Sequence, residues 1–178
     1  MSSDKPRVPQ AGSTLETSSP TETEALGERL GQACRGGEII AVIGPLGAGK
    51  TCLTRGFARG LGVSEGMTTS PTFALIHEYR GRLPLVHVDL YRLDAEAAGN
   101  LGLEEYLESS AVTVIEWADK IRAQLPRDYL RIELEHHGGD RRRITLSPFS
   151  AGYQKLVRAA LNTALRHGNA IGMKLGDS

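Results

Sequence analysis

Gly44-Pro45-Leu46-Gly47-Ala48-Gly49-Lys50-Thr51 places three glycines, an ammonium and a hydroxyl directly after the apolar run Ile39, Ile40, Ala41, Val42. The spacing fits GxxxxGK followed by Ser or Thr in every fixed position, the pattern of a loop that cradles phosphates. Glycines let consecutive N–H groups turn inward, where a Cβ would obstruct phosphate oxygens. In such a loop Lys50 bridges the outer phosphates as a point charge and the Thr51 hydroxyl is placed to ligate magnesium. The helix that opens here, with Cys52 in its first turn, adds the partial positive charge of its N-terminus. Gly44 to Cys52 are thus the candidate nucleotide-binding residues, with a triphosphate and Mg2+ the candidate ligands.

A phosphate loop is half of an enzyme without an acid to hold the metal and a group to order the attacking nucleophile. Two acids stand at the ends of apolar runs. In Val86-His87-Val88-Asp89-Leu90-Tyr91 the polar side chains alternate with apolar ones, so His87, Asp89 and Tyr91 share a face. In Val112-Thr113-Val114-Ile115-Glu116-Trp117 a carboxylate closes a β-branched run, as at the C-terminal end of a core strand. Read locally, Asp89 also suits a turn or cap and Glu116 an exposed edge carboxylate, each the lesser reading. The hydroxyls of Ser70 and Thr72, in Ser70-Pro71-Thr72-Phe73, suit either a γ-phosphate or a cap. The single tryptophan, Trp117, suits core or interface as well as a site wall, and His77 and His87 read as structural. Arg141 to Arg143 read as a solvated hairpin arm, since no aromatic residues interleave with them as in a nucleic-acid surface.

The elements that position these residues are legible in outline. Residues 1–18 are rich in Ser, Thr, Pro and Gly and read as a disordered tail. Ser19-Pro20-Thr21-Glu22 is a capping box with proline at the first helical position, opening a helix to about Cys34 that stops at Gly36-Gly37. Glu38 to Ile43 reads as a buried strand and Lys50 to Leu61 as a helix with Leu53, Phe57 and Leu61 on one face. Phe73 to Tyr79 and Leu85 to Leu90 suggest a hairpin, so part of the sheet is antiparallel. Asp94 to Leu107 reads as helix broken between Gly99 and Gly102. Leu130 to Glu135 and Arg143 to Leu146 flank a turn at His137 to Asp140, a second hairpin. A last helix runs from Ala151 to about His167 with Leu156, Ala159, Ala160 and Leu165 inward, and 168–178 is expected to be a flexible tail. Residues 19–167 are therefore the expected domain.

At 178 residues the chain suits one domain. Its 21 basic and 21 acidic side chains cancel, so no whole-molecule field draws it to nucleic acid or an anionic membrane. Cys34 and Cys52 form no CxxC pair or His-containing metal cluster, which agrees with a reduced, cytoplasmic protein. No apolar run reaches the roughly 20 residues of a membrane span.

With these residues in view, the sequence resembles the TsaE (YjeE) family of small P-loop ATPases of bacterial tRNA threonylcarbamoyladenosine synthesis. The pieces LGERL, GPLGAGKT, SPTFALIHEY, HVDLYRL, GLEEYL and VIEWADK fall in the family's order between about Thr21 and Leu165. The glycine loop is generic, whereas SPTF, HxDLYR and IEW together are specific. The resemblance implies a three-layer α/β P-loop NTPase fold, with a mixed, mostly parallel sheet and helices on both faces. It also implies Lys50 on the outer phosphates, Thr51 and Glu116 on magnesium, and Asp89 ordering water or the metal shell. Ser70 and Thr72 would lie in a switch-like loop, Trp117 would flank the site, and Thr21 to Thr23 would lie close to the base. The implied partners are TsaD and TsaB type proteins, with tRNA engaged only through their complex. Pro45 departs from the acidic or amide residue common at its position and removes one backbone donor from the loop. A small-molecule or nucleotide kinase is the alternative, with Arg141 to Arg143 as its lid. A GTP switch is disfavoured because no asparagine is followed by lysine as in NKxD.

Overall fold

The computed structural model describes residues 9–64 and 75–166, with side chains followed to residue 162. Ser70, Thr72, the start of the SPTF segment and residues 168–178 lie outside the described residues. Among those described, the strands are β1 (Ser13–Thr17), β2 (Ile39–Ile43), β3 (Ile76–Tyr79), β4 (Leu85–Asp89), β5 (Val112–Glu116), β6 (Leu130–His136) and β7 (Arg142–Pro148). They form one sheet in the order β1-β7-β6-β2-β5-β4-β3. The helices are α1 (Pro20–Ala33), α2 (Lys50–Gly60), α3 (Ala95–Gly99), α4 (Glu104–Leu107) and α5 (Ala151–Arg166), with a 3-10 turn at Ala118–Ile121.

The centre of the sheet is parallel, because β6, β2, β5 and β4 run the same way, and the antiparallel strands β3, β7 and β1 close its two sides. β2 is apolar at every position because both faces are covered. Ile40 and Val42 meet α1 and α2, while Ile39 and Ala41 meet the layer of α3, α4 and the 3-10 turn. This is the continuous apolar run of a buried parallel strand. The architecture is therefore three-layered, with helices on both faces. Both expected hairpins form, β3 with β4 and β6 with β7. Among the described residues, no helix is long and apolar enough to cross a membrane.

Three expectations are corrected. Ser13–Thr17 is not tail but the edge strand β1, paired along its length with β7. Its main-chain ladder and the burial of Leu15 and Thr17 hold a segment too polar to read as a strand. Ala159 faces outward on α5, and Tyr153 and Val157 join Leu156 and Ala160 in the core instead. The α1 cap also differs in detail. The Ser19 hydroxyl accepts from Glu22 N–H as expected, but the Glu22 carboxylate reaches one residue further back, to Ser18 N–H and Oγ, both at 2.7 Å.

The helix pair beside the glycine loop is held unusually close. Gly27 and Gly31 on α1 face Gly56 and Gly60 on α2, and a Cβ on any of them would strike backbone of the partner helix: Leu53, Phe57, Glu24 and Glu28 carbonyl oxygens respectively. Arg59 on α2 reaches across to Glu24 at 2.6 Å, and the Arg82 guanidinium donates to the Gly31 and Cys34 carbonyls at the end of α1. In an ordinary helix Gly→Ala stabilises by about 1 kcal/mol. Here Gly56→Ala is expected to destabilise by about 1–3 kcal/mol through overpacking. Thermal melts read the sign, and a variant as stable as the parent would contradict the close-packed pair.

Candidate functional site

The site is assembled at the C-terminal ends of β2, β4 and β5, where Val42 and Asp89 both stand opposite Glu116 in the ladder. The loop after β2 turns tightly, with Ala48 N–H on the Pro45 carbonyl at 3.2 Å. Gly47 and Gly49 have φ of 77° and 102°, conformations that a Cβ disfavours. Gly44 cannot carry one either, because it would strike the Leu134 carbonyl. Gly49 caps α2, yet no side chain closes the cap and no acid lies in the first turn. α1 and α3, by contrast, are capped by Ser19 and Asp94 side chains. The first amides of α2 are thus left for an acceptor from outside, at the positive end of the helix dipole.

Lys50 leans back over this loop. Its Nζ donates to the Gly44 and Pro45 carbonyls at 2.7 and 2.8 Å and sits 3.7 Å from the centroid of the Trp117 ring. Burial lowers its pKa, opposed by the negative charges of Glu116, Asp89 and Asp119. The ammonium is therefore held among acids and has two carbonyls to exchange for stronger, anionic acceptors.

Glu116 is the most tightly specified side chain of the site. It is 1% exposed, and its Oε2 accepts from Thr51 Oγ1 at 2.9 Å. Its Oε1 accepts from Thr54 Oγ1 at 3.0 Å and lies 2.9 Å from His87 Nε2. Burial would raise its pKa, but the bond and charge of His87 and the two threonine hydroxyls outweigh that and lower it. The edge-carboxylate reading is thereby excluded. Asp89, on the neighbouring strand, keeps Oδ1 on Tyr91 N–H at 2.9 Å. Trp117 has φ of 60°, the sole positive value for a non-glycine among the described residues, and its ring lies 5.2 Å from that of Tyr91. A bulky residue held in this region marks a local constraint. The structure thus brings together Gly44 to Thr51, Asp89, Glu116 and Trp117.

Two features were misread or missed. His87 and Thr54 fix Glu116. The alternation along β4 already set His87 on the face of Asp89, and Thr54 lies one helical turn after Thr51, so both signals were present. Arg142 is not a solvated arm: its Nε and Nη2 donate to the Ala48 and Gly47 carbonyls at 3.1 and 3.4 Å, bracing the glycine loop from the β6–β7 hairpin. Cys52, included among the nucleotide-binding candidates, turns its thiol to the Pro20 carbonyl of α1 at 3.1 Å, and burial raises its pKa. Thr23 lies against the loop, its methyl 3.7 Å from where a Gly49 Cβ would stand, and its hydroxyl bonds that of Thr17 at 2.8 Å.

A strand, a glycine loop, a helix with a bare N-terminus and a carboxylate on the adjacent parallel strand define a P-loop α/β protein. Comparison with known families agrees and is more specific. Residues 17–144 match the family model described as threonylcarbamoyl adenosine biosynthesis protein TsaE, and the chain belongs to that family. The Bacillus subtilis tRNA threonylcarbamoyladenosine biosynthesis protein TsaE is 41% identical over 141 residues, 79% of this chain and 88% of its own length. The protein of the same name from Streptomyces coelicolor is 43% identical over 120 residues, 65% of this chain and 80% of its own. The crystal structure of Bacillus subtilis YdiB superposes with a TM-score of 0.74 at 36% identity, covering 86% of this chain and 96% of that one.

Because the folded-state pKa of Glu116 lies below its ordinary value, its bonds stabilise the fold above the carboxylate range and lose that effect as pH falls through the depressed pKa. Thr54→Val removes one hydroxyl and should cost about 1.5–3 kcal/mol at neutral pH, the usual worth of a hydrogen bond to a charged group. Urea melts should show the gap to the parent narrowing as the solution is acidified below the ordinary carboxylate range. A gap independent of pH would mean that the hydroxyl does not act on the ionised carboxylate.

Proposed function

We propose that this chain binds ATP with magnesium at the glycine loop and hydrolyses it as a subunit required for threonylcarbamoyladenosine modification of tRNA. It would act with TsaB and TsaD type proteins to support their turnover. The reading rests on family membership and above all on the Thr51–Glu116 contact, which puts a hydroxyl and an ionised carboxylate 2.9 Å apart beside the bare start of α2.

The residues fit both ligands. The uncapped amides of Gly49 to Thr51 suit phosphate oxygens, and Lys50 trades the Gly44 and Pro45 carbonyls for the outer phosphates. Thr51 and Glu116 are the oxygen donors that would hold magnesium, a hard cation that takes carboxylate, hydroxyl and phosphate ligands. Magnesium, when bound, supplies charge neutralisation at the phosphates. In hydrolysis the oxygen of a water attacks the γ-phosphorus, and the bond to the β–γ bridging oxygen breaks. ADP and phosphate leave, and the water proton passes towards Asp89. Its Oδ1 is occupied by Tyr91 N–H, and its Oδ2 carries no hydrogen bond among the described residues. Neutral net charge agrees with tRNA being held by partner proteins, since a protein gripping tRNA alone usually shows a basic stripe. The kinase alternative loses one arginine of its lid, because Arg142 is committed to the loop carbonyls.

Lys50→Ala should weaken ATP binding about 10- to 100-fold by calorimetry, the worth of charge-assisted bonds; unchanged affinity would remove the cradle. Asp89→Ala should keep nucleotide bound but lose about 100-fold or more in turnover, as for a group that handles a proton in the transition state. In cells, depletion of the protein should remove the threonylcarbamoyl group from tRNA nucleosides by mass spectrometry. The wild-type chain should restore it and Lys50→Ala should not; restoration by both would contradict a role for ATP.

A further inference from the structure

Lys120 has no part in the site as described so far, yet its ammonium is the most fully committed among the described residues. It leaves the 3-10 turn after Trp117 and donates to the carbonyls of Leu90 and Tyr91, each at 2.8 Å, and of Leu93 at 2.6 Å. These three acceptors belong to the turn that follows Asp89. An ammonium has three protons, and all three go to this one turn. Lysine suits the task because it presents a compact charge with three radiating donors, where the planar fork of arginine would not converge on them.

The consequence is a bridge between the ends of the two acid-bearing strands. Glu116 ends β5, and its carbonyl accepts from Leu90 N–H at 3.2 Å. Lys120 follows four residues later, its N–H on the Trp117 carbonyl at 3.2 Å, and reaches back to the turn that carries Tyr91. That turn in its own right holds Asp89, through Tyr91 N–H on Oδ1. Two ammonium groups approach the Trp117 ring, Lys50 at 3.7 Å and Lys120 at 5.5 Å from its centroid. Any shift of the 90–93 turn therefore moves Asp89 relative to Glu116 and to the Lys50 ammonium.

We propose that Lys120 is a positioning residue for hydrolysis, fixing the turn after Asp89 so that this carboxylate faces the nucleotide loop. The inference rests on the ATPase reading above and adds a residue to it. A misplacement of about 1 Å in a catalytic group costs on the order of 100-fold in rate, so loss of this bridge is a kinetic lesion more than a binding one.

The test uses the full chain with the same assay for every variant. Lys120→Met, which keeps the stem and removes the donors, should lower kcat at least about tenfold while ATP affinity by calorimetry stays within about threefold. In an Asp89→Ala background the same substitution should cost nothing further, because Lys120 works through Asp89. Hydrogen exchange on the nucleotide-free chain should show faster exchange at the Tyr91 amide in Lys120→Met, with α2 amides unchanged. Full activity in Lys120→Met, an additive loss in the double variant, or equal loss of nucleotide affinity would each overturn the proposal. If Lys120→Met does not fold, Lys120→Gln, which retains the stem and one donor, is read by the same criteria. A wild-type chain without ATP turnover, alone or with its partner proteins, would instead overturn the ATPase reading, and the exchange experiment would still decide whether Lys120 holds the turn.

Discussion

The burial of one ionised carboxylate organises this end of the molecule. Glu116 sits where β5 ends against α2, out of contact with water, and a buried charge survives only when its oxygens are paired. Two hydroxyls from successive turns of α2 and an imidazole from β4 do the pairing. Those bonds link three separate elements, so the register of β4 on β5 and the rotation of α2 about its axis are both fixed by the same side chain. The glycine loop, which lies between β2 and α2, inherits that geometry.

Around this point the remaining charges are arranged in opposition. Lys50 lies among Glu116, Asp89 and Asp119. It is held by two carbonyls of its own loop and by the face of Trp117. Arg142 braces the loop from one side and Lys120 braces the turn after Asp89 from the other. Each of the two is anchored because it donates to more than one main-chain carbonyl. The walls of the site are thus tied by several bonds, while the Lys50 ammonium is retained by two carbonyl bonds that a phosphate would replace in the proposed nucleotide complex.

Much of this was legible in the residues, and what was not has identifiable causes. The glycine loop, the buried strand before it and the helix after it follow from glycine spacing and apolar runs. The two acids followed from their places at strand ends. β1 was invisible because its stability comes from main-chain pairing with β7 and from a lone buried leucine, neither of which produces a hydrophobic pattern. The roles of His87, Thr54 and Lys120 depend on which strands become neighbours. In the finished sheet β5 lies between β2 and β4, an order that local sequence does not encode. The glycines of α1 and α2 stand in LGERLG and RGFARG, a spacing that helix periodicity alone does not interpret. Only the close approach of the two backbones gives them meaning.

The central claim is that Thr51 and Glu116 share a metal ion with a bound triphosphate. A crystal structure with a non-hydrolysable ATP analogue and manganese tests it directly, since anomalous scattering locates the ion. The account predicts manganese at about 2 Å from Thr51 Oγ1, with Glu116 in its coordination sphere directly or through one water, and Lys50 moved from Trp117 to the outer phosphates. Nucleotide bound with the Thr51–Glu116 hydrogen bond intact and the ion elsewhere would contradict it.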